Sequence, residues 1–304
     1  MQTRPTSQKS PMILLLVLVL ISLGVYIIVP QVFILIGAFI GGYDLQEIIS
    51  AMSSAHSNPP IQILLLVVQA LAAIVSFVIL PLMYLQGYEV GRWSDLGMRP
   101  VNGLSLALVI MATLCFMFVN TPFIEWNQAV QFPEPLHSIL RHYEDVAEAA
   151  TKFLTSFYSL PYFLASVVVI AIIPAIGEEL LFRGMIQRYG MKIFDNPHVA
   201  IWMTAVAFSA FHFQFFGFLP RMLLGALFGY LYYFSGNLWY SIVAHFTNNA
   251  FTILMIYLFQ LKMTELDIEG TESLPFGVIL VFAILGSILM ALFAKRRQTN
   301  KFEG

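Results

Sequence analysis

Glu178 and Glu179 stand side by side in the stretch Gly177-Glu-Glu-Leu-Leu-Phe-Arg-Gly-Met-Ile-Gln-Arg188, which closes an apolar run beginning near Tyr158. His212 falls in a second apolar run, and His245, Asn248 and Asn249 in a third. A charge at the centre of such a run costs about 2.5–3.5 kcal/mol even on the lenient insertion scale, so these groups require partners and point to a function. The chemistry open to them is water activation. A carboxylate in low-dielectric surroundings is a usable general base, assisted by one imidazole, while a second imidazole and an asparagine amide can donate hydrogen bonds to a developing oxyanion. Glu178, His212 and His245 are equally a zinc ligand set, one Glu and two His with an open position for water. Residue types alone leave both mechanisms open.

Helical spacing assigns the two acids different surroundings. Glu179 and Arg183 are four apart, the order that places a carboxylate and a cation on one face. Glu178 points about 100° away from Glu179. The expectation is therefore that Glu179 and Arg183 form an internal supporting pair and that Glu178 is the free acid. Pro174 removes a backbone amide just upstream, so packing or a cavity must compensate there. Phe208 and His212 share a face, as do His245 and Asn249.

Other hydrolytic designs are excluded. No histidine is followed by glutamate, so an HExxH zinc helix is absent. The aspartates, Asp44, Asp95, Asp145, Asp195 and Asp267, all fall outside the apolar runs, and no GxSG serine motif occurs. Cys115, the lone cysteine, has no polar partner in its run and excludes an internal disulfide framework.

The elements that must hold these residues are membrane spans. The 304-residue chain is 59% hydrophobic and 11% charged, with mean hydropathy +0.81. Soluble domains carry about 45–50% apolar and about 25% charged residues, so this is an integral membrane protein in contact with the bilayer. Fifteen basic and 17 acidic residues leave no basic patch for nucleic acid. Eight candidate spans fall at roughly 12–38, 61–86, 103–120, 158–188, 199–217, 220–235, 237–260 and 276–294. They lack the alternation of barrel strands, so the predicted fold class is all-α and polytopic. The first run extends past signal-peptide length and is read as an uncleaved span.

The basic residues orient the chain. With the N-terminus inside, Arg4, Lys9, Arg92, Arg99, Arg188, Lys192, Lys295, Arg296, Arg297 and Lys301 are cytoplasmic, against Arg141, Lys152, Arg221 and Lys262 outside. The acids skew outward, among them Glu125, Glu134, Glu144, Asp267, Glu269 and Glu272. Both termini are therefore expected inside a plasma membrane. The expected organisation is an N-terminal region 1–157, a core 158–260 holding the polar residues, and a last span with a basic tail, 261–304. The connection 87–102, with Glu89, Arg92 and Asp95, adds no soluble domain, and 143–154 is expected to be a solvated amphipathic helix at the outer surface.

Three motifs carry a resemblance: Glu178-Glu-Leu-Leu-Phe-Arg183 as EExxxR, Phe208-Ser-Ala-Phe-His212 as FxxxH, and His245-Phe-Thr-Asn-Asn249 as HxxxN. In this order they resemble the CPBP family, the CAAX-processing and bacteriocin-processing intramembrane endopeptidases also called the type II CAAX prenyl protease or Abi family. The resemblance covers about residues 158–260. It implies a helical core whose cavity opens toward the cytoplasm and bilayer and receives membrane-associated peptides or proteins. It further implies that Glu178 together with His212 activates the water, that His245 and Asn249 are the oxyanion donors, and that Glu179 with Arg183 gives support. In the glutamate mechanism no cofactor is required; the alternative is a divalent metal, zinc, on Glu178, His212 and His245. Two other readings of the same residues are a non-catalytic immunity or scaffold protein of the family and a proton-coupled transporter, since intramembrane Glu and His also relay protons.

Overall fold

The computed structural model describes residues 10–52, 58–88, 96–265 and 273–302, and every regular element among them is helical. Arg4, Lys9, Glu89, Arg92, Asp95, Asp267, Glu269 and Glu272 lie outside the described residues. In chain order the helices are α1 (Pro11–Gly41), α2 (Leu45–Met52), α3 (Pro59–Gln86), α4 (Gly103–Val119), α5 (Thr121–Gln128), α6 (Leu136–Leu154), α7 (Leu160–Ile193), α8 (Pro197–Ala210), α9 (Phe218–Ser235), α10 (Leu238–Gln260) and α11 (Phe276–Phe302). Six are long and apolar enough to cross a membrane: α1, α3, α4 continuing into α5, α7, α10 and α11. The other two expected spans correspond to α8 and α9.

Local chemistry sets the helix starts. Asn58, Asn102, Ser159, Asn196 and Asn237 each accept a hydrogen bond from an amide of the first turn that follows, satisfying donors that have no intrahelical partner. Proline occupies the first turn of α1, α3, α7 and α8, where its missing amide costs nothing. Gly236 ends α9 in the left-handed region at φ 58°. A Cβ on Gly97, itself at φ 73°, would collide with the Gly236 carbonyl, so this turn requires glycine twice.

One expectation fails in an informative way. The span predicted over 199–217 ends at Ala210, and residues 211–217 form an irregular loop with Phe213 at φ 54°. The amides of His212 and Phe213 turn to carbonyls three residues back, Ser209 and Ala210, which tightens and closes the helix. Ser209 Oγ then donates to Phe218 O at 2.7 Å across the loop. At 14 residues α8 is only about 21 Å long, short of the roughly 30 Å hydrocarbon core.

α7 is the central element, packed by α3 on one side and α10 on the other, with α8 and α9 closing over its C-terminal half. A buried cluster from Phe77, Leu180, Phe182, Met185 and Ile186 to Phe208 and Phe211 joins α3, α7 and the end of α8. A second, from Val109 to Phe228, Tyr240 and Phe293, joins α4, α9, α10 and α11. Gly225 and Gly229 lie one helical turn apart on α9 and let it approach closely, as small residues do in membrane helix pairs. A Cβ at Gly229 would stand 2.9 Å from both Gln187 Oε1 and Ile201 Cγ2, and one at Gly225 would stand 3.1 Å from Phe208. Gly177 is equally constrained, since its Cβ would lie 2.8 Å from Phe77 Cβ.

α6 is amphipathic and largely exposed: Leu136, Ile139, Tyr143 and Val146 form an apolar stripe, Glu148 and Lys152 an exposed ion pair, and Glu144, at 6% exposed, is the acid turned inward. Gly229→Val should lower stability by about 1–3 kcal/mol through overpacking, read as a lower unfolding midpoint in detergent. Gly24→Ala, where a Cβ meets nothing within 4 Å, should leave the midpoint within about 0.5 kcal/mol of wild type.

Candidate active site

Three π-helical turns interrupt the helices around the site, at Ile74–Ile79 in α3 and at Val167–Ile172 and Phe182–Gln187 in α7. Such turns shift the face that a helix presents and leave backbone groups to be satisfied by side chains. Pro174 offers no amide to the carbonyl of Ile170 four residues earlier, and Asn249 Nδ2 donates to that carbonyl at 3.2 Å. The compensation required at Pro174 is thus a side chain from α10. Asn248 Nδ2 in turn donates to Asn249 Oδ1 at 3.0 Å.

The two glutamates separate as their spacing predicts, but Glu179 does more than pair with arginine. Its Oε1 accepts from Arg183 Nη1 at 2.7 Å and from His245 Nδ1 at 2.9 Å. Both Glu179 and Arg183 are fully buried, and His245 is 4% exposed. Arg183 Nη2 reaches across to Gly225 O at 2.7 Å, and one turn on Gln187 Nε2 donates to Gly229 O at 3.0 Å. The Arg183 guanidinium carbon lies 4.7 Å and 5.3 Å from the ring centres of Phe208 and Phe228, which add cation–π attraction in place of water. Phe228 stacks on His245 at 5.0 Å with 19° between planes.

Glu178 faces the other way. Its Oε2 is buried, has no hydrogen-bond partner among the described residues, and lies 4.0 Å from His245 Nε2. That separation is too long for a hydrogen bond. His212, at the start of the loop after α8, directs Nδ1 to Phe208 O at 3.0 Å. Phe208 lies between the two imidazoles, 5.3 Å from His212 and 5.7 Å from His245. A carboxylate and a carbonyl can only accept, so each histidine donates through Nδ1 and, when neutral, turns a lone pair on Nε2 outward.

The structure therefore brings Glu178, Glu179, Arg183 and His245 together and places His212 against Phe208, whose ring also meets that of His245. Asn249 is one turn from His245 and committed to Ile170. Among the described residues no three His, Cys, Asp or Glu side chains are grouped to hold a metal ion. The zinc set Glu178, His212 and His245 is thus not preassembled.

An all-helical polytopic membrane protein with a buried Glu–Arg–His cluster between its central helix and α10 is the class that fold and site define. Residues 160–251 match the Rce1-like family, described as type II CAAX prenyl endopeptidase. The chain is also 27% identical over 187 residues to an uncharacterized protein, YpbD, of Bacillus subtilis (strain 168), covering 60% of this chain and 81% of that protein. No solved structure matches it.

Several participants escape the motifs. Gln187 and the Gly225–Gly229 pair secure α9 to α7, and the four-residue glycine spacing was a readable signal for them. Arg221, counted above as an outer charge, lies in the first turn of α9, donates to Gln214 Oε1 at 3.0 Å, and is in electrostatic reach of Glu178, His212 and Tyr26. Nothing in the spacing of Tyr26 or Arg221 points to the site. Replacing Arg183 by Met should cost about 3–5 kcal/mol by leaving the Glu179 charge buried without its cation. Adding Glu179→Gln to that variant should recover part of the loss, measured as the unfolding midpoint in detergent; an unchanged midpoint for Arg183→Met would contradict the pairing.

Proposed function

We propose that this protein is an intramembrane endopeptidase of the CAAX-processing type, acting on membrane-associated peptides or proteins from the cytoplasmic side of the plasma membrane. The observation that carries the reading is the unpartnered Glu178 carboxylate oxygen facing the Nε2 of a histidine whose other nitrogen is held by Glu179. It lies inside the segment that matches the prenyl endopeptidase family.

In the reactive state Glu178 is a carboxylate and His245 carries a proton on each ring nitrogen, its Nδ1–H held by Glu179 as the third member of a triad holds its histidine. Glu178 Oε2 takes a proton from water as the water oxygen bonds to the scissile carbonyl carbon. The electron pair of the C=O moves onto oxygen, and His245 Nε2–H donates to that oxyanion. As the C–N bond breaks, the proton on Glu178 passes to the departing nitrogen, giving a new carboxyl terminus and a free amine. His212 Nε2 serves as a second acceptor near the attacking water. The oxyanion role expected for Asn249 must use its amide hydrogen not bonded to Ile170, so its first contribution is to the backbone of α7.

The test uses purified protein and a labelled peptide library that includes prenylated cysteine sequences. Glu178→Gln should reduce cleavage by about 10²–10⁴-fold, the usual contribution of a positioned base. Cleavage that survives this change removes Glu178 from the chemistry. Activity unchanged by strong chelators, with no metal by elemental analysis, supports the glutamate route, whereas loss by chelation and recovery with zinc supports the metal route. pH-linked solute flux in liposomes without cleavage would replace the reading with transport.

A further inference from the structure

The loop 211–217, which carries His212 near its start, interrupts a pair of apolar helices, and its buried backbone polar groups need partners from elsewhere in the protein. The helices that do so are α5 and α6, which lie outside the segment matching the family. Glu144 of α6 accepts from the Phe216 amide at 3.1 Å and from Gln214 Nε2 at 3.3 Å. Gln214 Oε1 accepts from Arg221 Nη2 at 3.0 Å, so the carboxylate, the amide side chain and the guanidinium form one chain of contacts. Arg141, one turn before Glu144, places its guanidinium carbon 3.6 Å from the centre of the Phe216 ring, and His137 meets the same ring edge-on at 5.7 Å. Asn127 of α5 completes the enclosure, donating to Phe215 O at 3.0 Å and accepting from the Leu219 amide at 2.7 Å.

These contacts are directional and buried: Glu144, Asn127 and Phe216 are 6%, 2% and 0% exposed. Among the described residues the ring of His212 is hydrogen-bonded within its own helix turn, to Phe208 O. Where its ring points therefore depends on the path of the loop that it opens. We propose that Glu144 is a positioning residue for His212, holding the loop from an amphipathic helix outside the apolar core and so setting where Nε2 of His212 meets the substrate. Placing a charged acceptor there lets one side chain satisfy a buried peptide N–H, orient Gln214 and face the Arg221 cation. A carboxamide can supply the acceptor alone; alanine supplies none of these.

This inference rests on the endopeptidase reading for its activity readout and on no reading of function for its structural ones. Full-length wild type, Glu144→Gln and Glu144→Ala are reconstituted in lipid nanodiscs with a quenched-fluorescent prenylated CAAX peptide. Glu144→Ala should lower kcat by about 10²-fold with KM within about twofold, as expected when a catalytic group is misplaced by about 1 Å. Glu144→Gln, which keeps an oxygen for the Phe216 amide, should restore kcat to within about fivefold of wild type. In parallel, acylation of His212 by diethyl pyrocarbonate, scored by mass spectrometry against His198 as internal reference, should rise about fivefold or more in Glu144→Ala as the loop loosens. A purely structural role would lower the melting point without the kcat-specific loss or the rescue by glutamine. If Glu144→Ala fails to fold, amide exchange in the wild type decides: Phe216 and Leu219 amides should exchange as slowly as those within α9. Wild-type Phe216 exchanging like an open loop, unchanged His212 acylation, or a glutamine variant as impaired as alanine overturns the proposal. A wild type inactive on every peptide overturns the endopeptidase reading, and the acylation and exchange results still decide the role of Glu144.

Discussion

One buried carboxylate oxygen, Glu179 Oε1, organises the core of this protein. It receives hydrogen bonds from Arg183 on its own helix and from His245 on α10, so a contact within one helix and a contact between two helices meet at one atom. A carboxylate and a guanidinium moved into an apolar interior each carry several kcal/mol of desolvation cost, and partial pairing does not offset it. Arg183 also finds the Gly225 carbonyl and two phenylalanine faces, while Glu179 Oε2 and Arg183 Nε have no hydrogen-bond partner among the described residues. Those contacts require α9 at a distance that a side chain at position 225 or 229 would deny. The polar cluster thus selects the register of α7, α9 and α10 together, and the orientation of His245 toward Glu178 follows from it.

The second constraint is the interrupted pair α8 and α9. A full-length α8 would carry His212 through the apolar region as one more lipid-facing span, whereas a short helix leaves the histidine beside a loop next to Phe208 and near Arg221. Loop backbone in that position needs donors and acceptors, and α5 and α6 deliver them through Asn127 and Glu144. The N-terminal half of the chain is in this sense part of the site. α3 packs against the helix of the two glutamates, and Tyr26 of α1 meets the rings of Phe77 and Phe211.

Much of this was legible in the residues, and the remainder was not for identifiable reasons. The all-helical fold follows from run length and composition, and the Glu179–Arg183 pair from a spacing of four. That Glu179 also binds His245 is a contact 66 residues apart in sequence, which no local period encodes. The end of α8 was hidden because Phe211, Phe213, Phe215 and Phe216 keep the hydropathy high through a loop that has left the helix. Glu144 looks like one more charge on a surface helix among Asp145 and Glu148; only the tertiary fold turns it inward. Pro174 announced a missing amide, and its compensation by Asn249 shows how a motif residue can be needed for backbone satisfaction as well as chemistry.

The central claim is that Glu179 holds His245 through Nδ1 and thereby presents Nε2 to Glu178. Nitrogen-15 NMR of the imidazole of His245, in full-length protein labelled at histidine and reconstituted in lipid, reads this directly. Nδ1 should stay protonated at neutral pH and lose that preference in Glu179→Gln. A neutral His245 protonated at Nε2 in the wild type would contradict it.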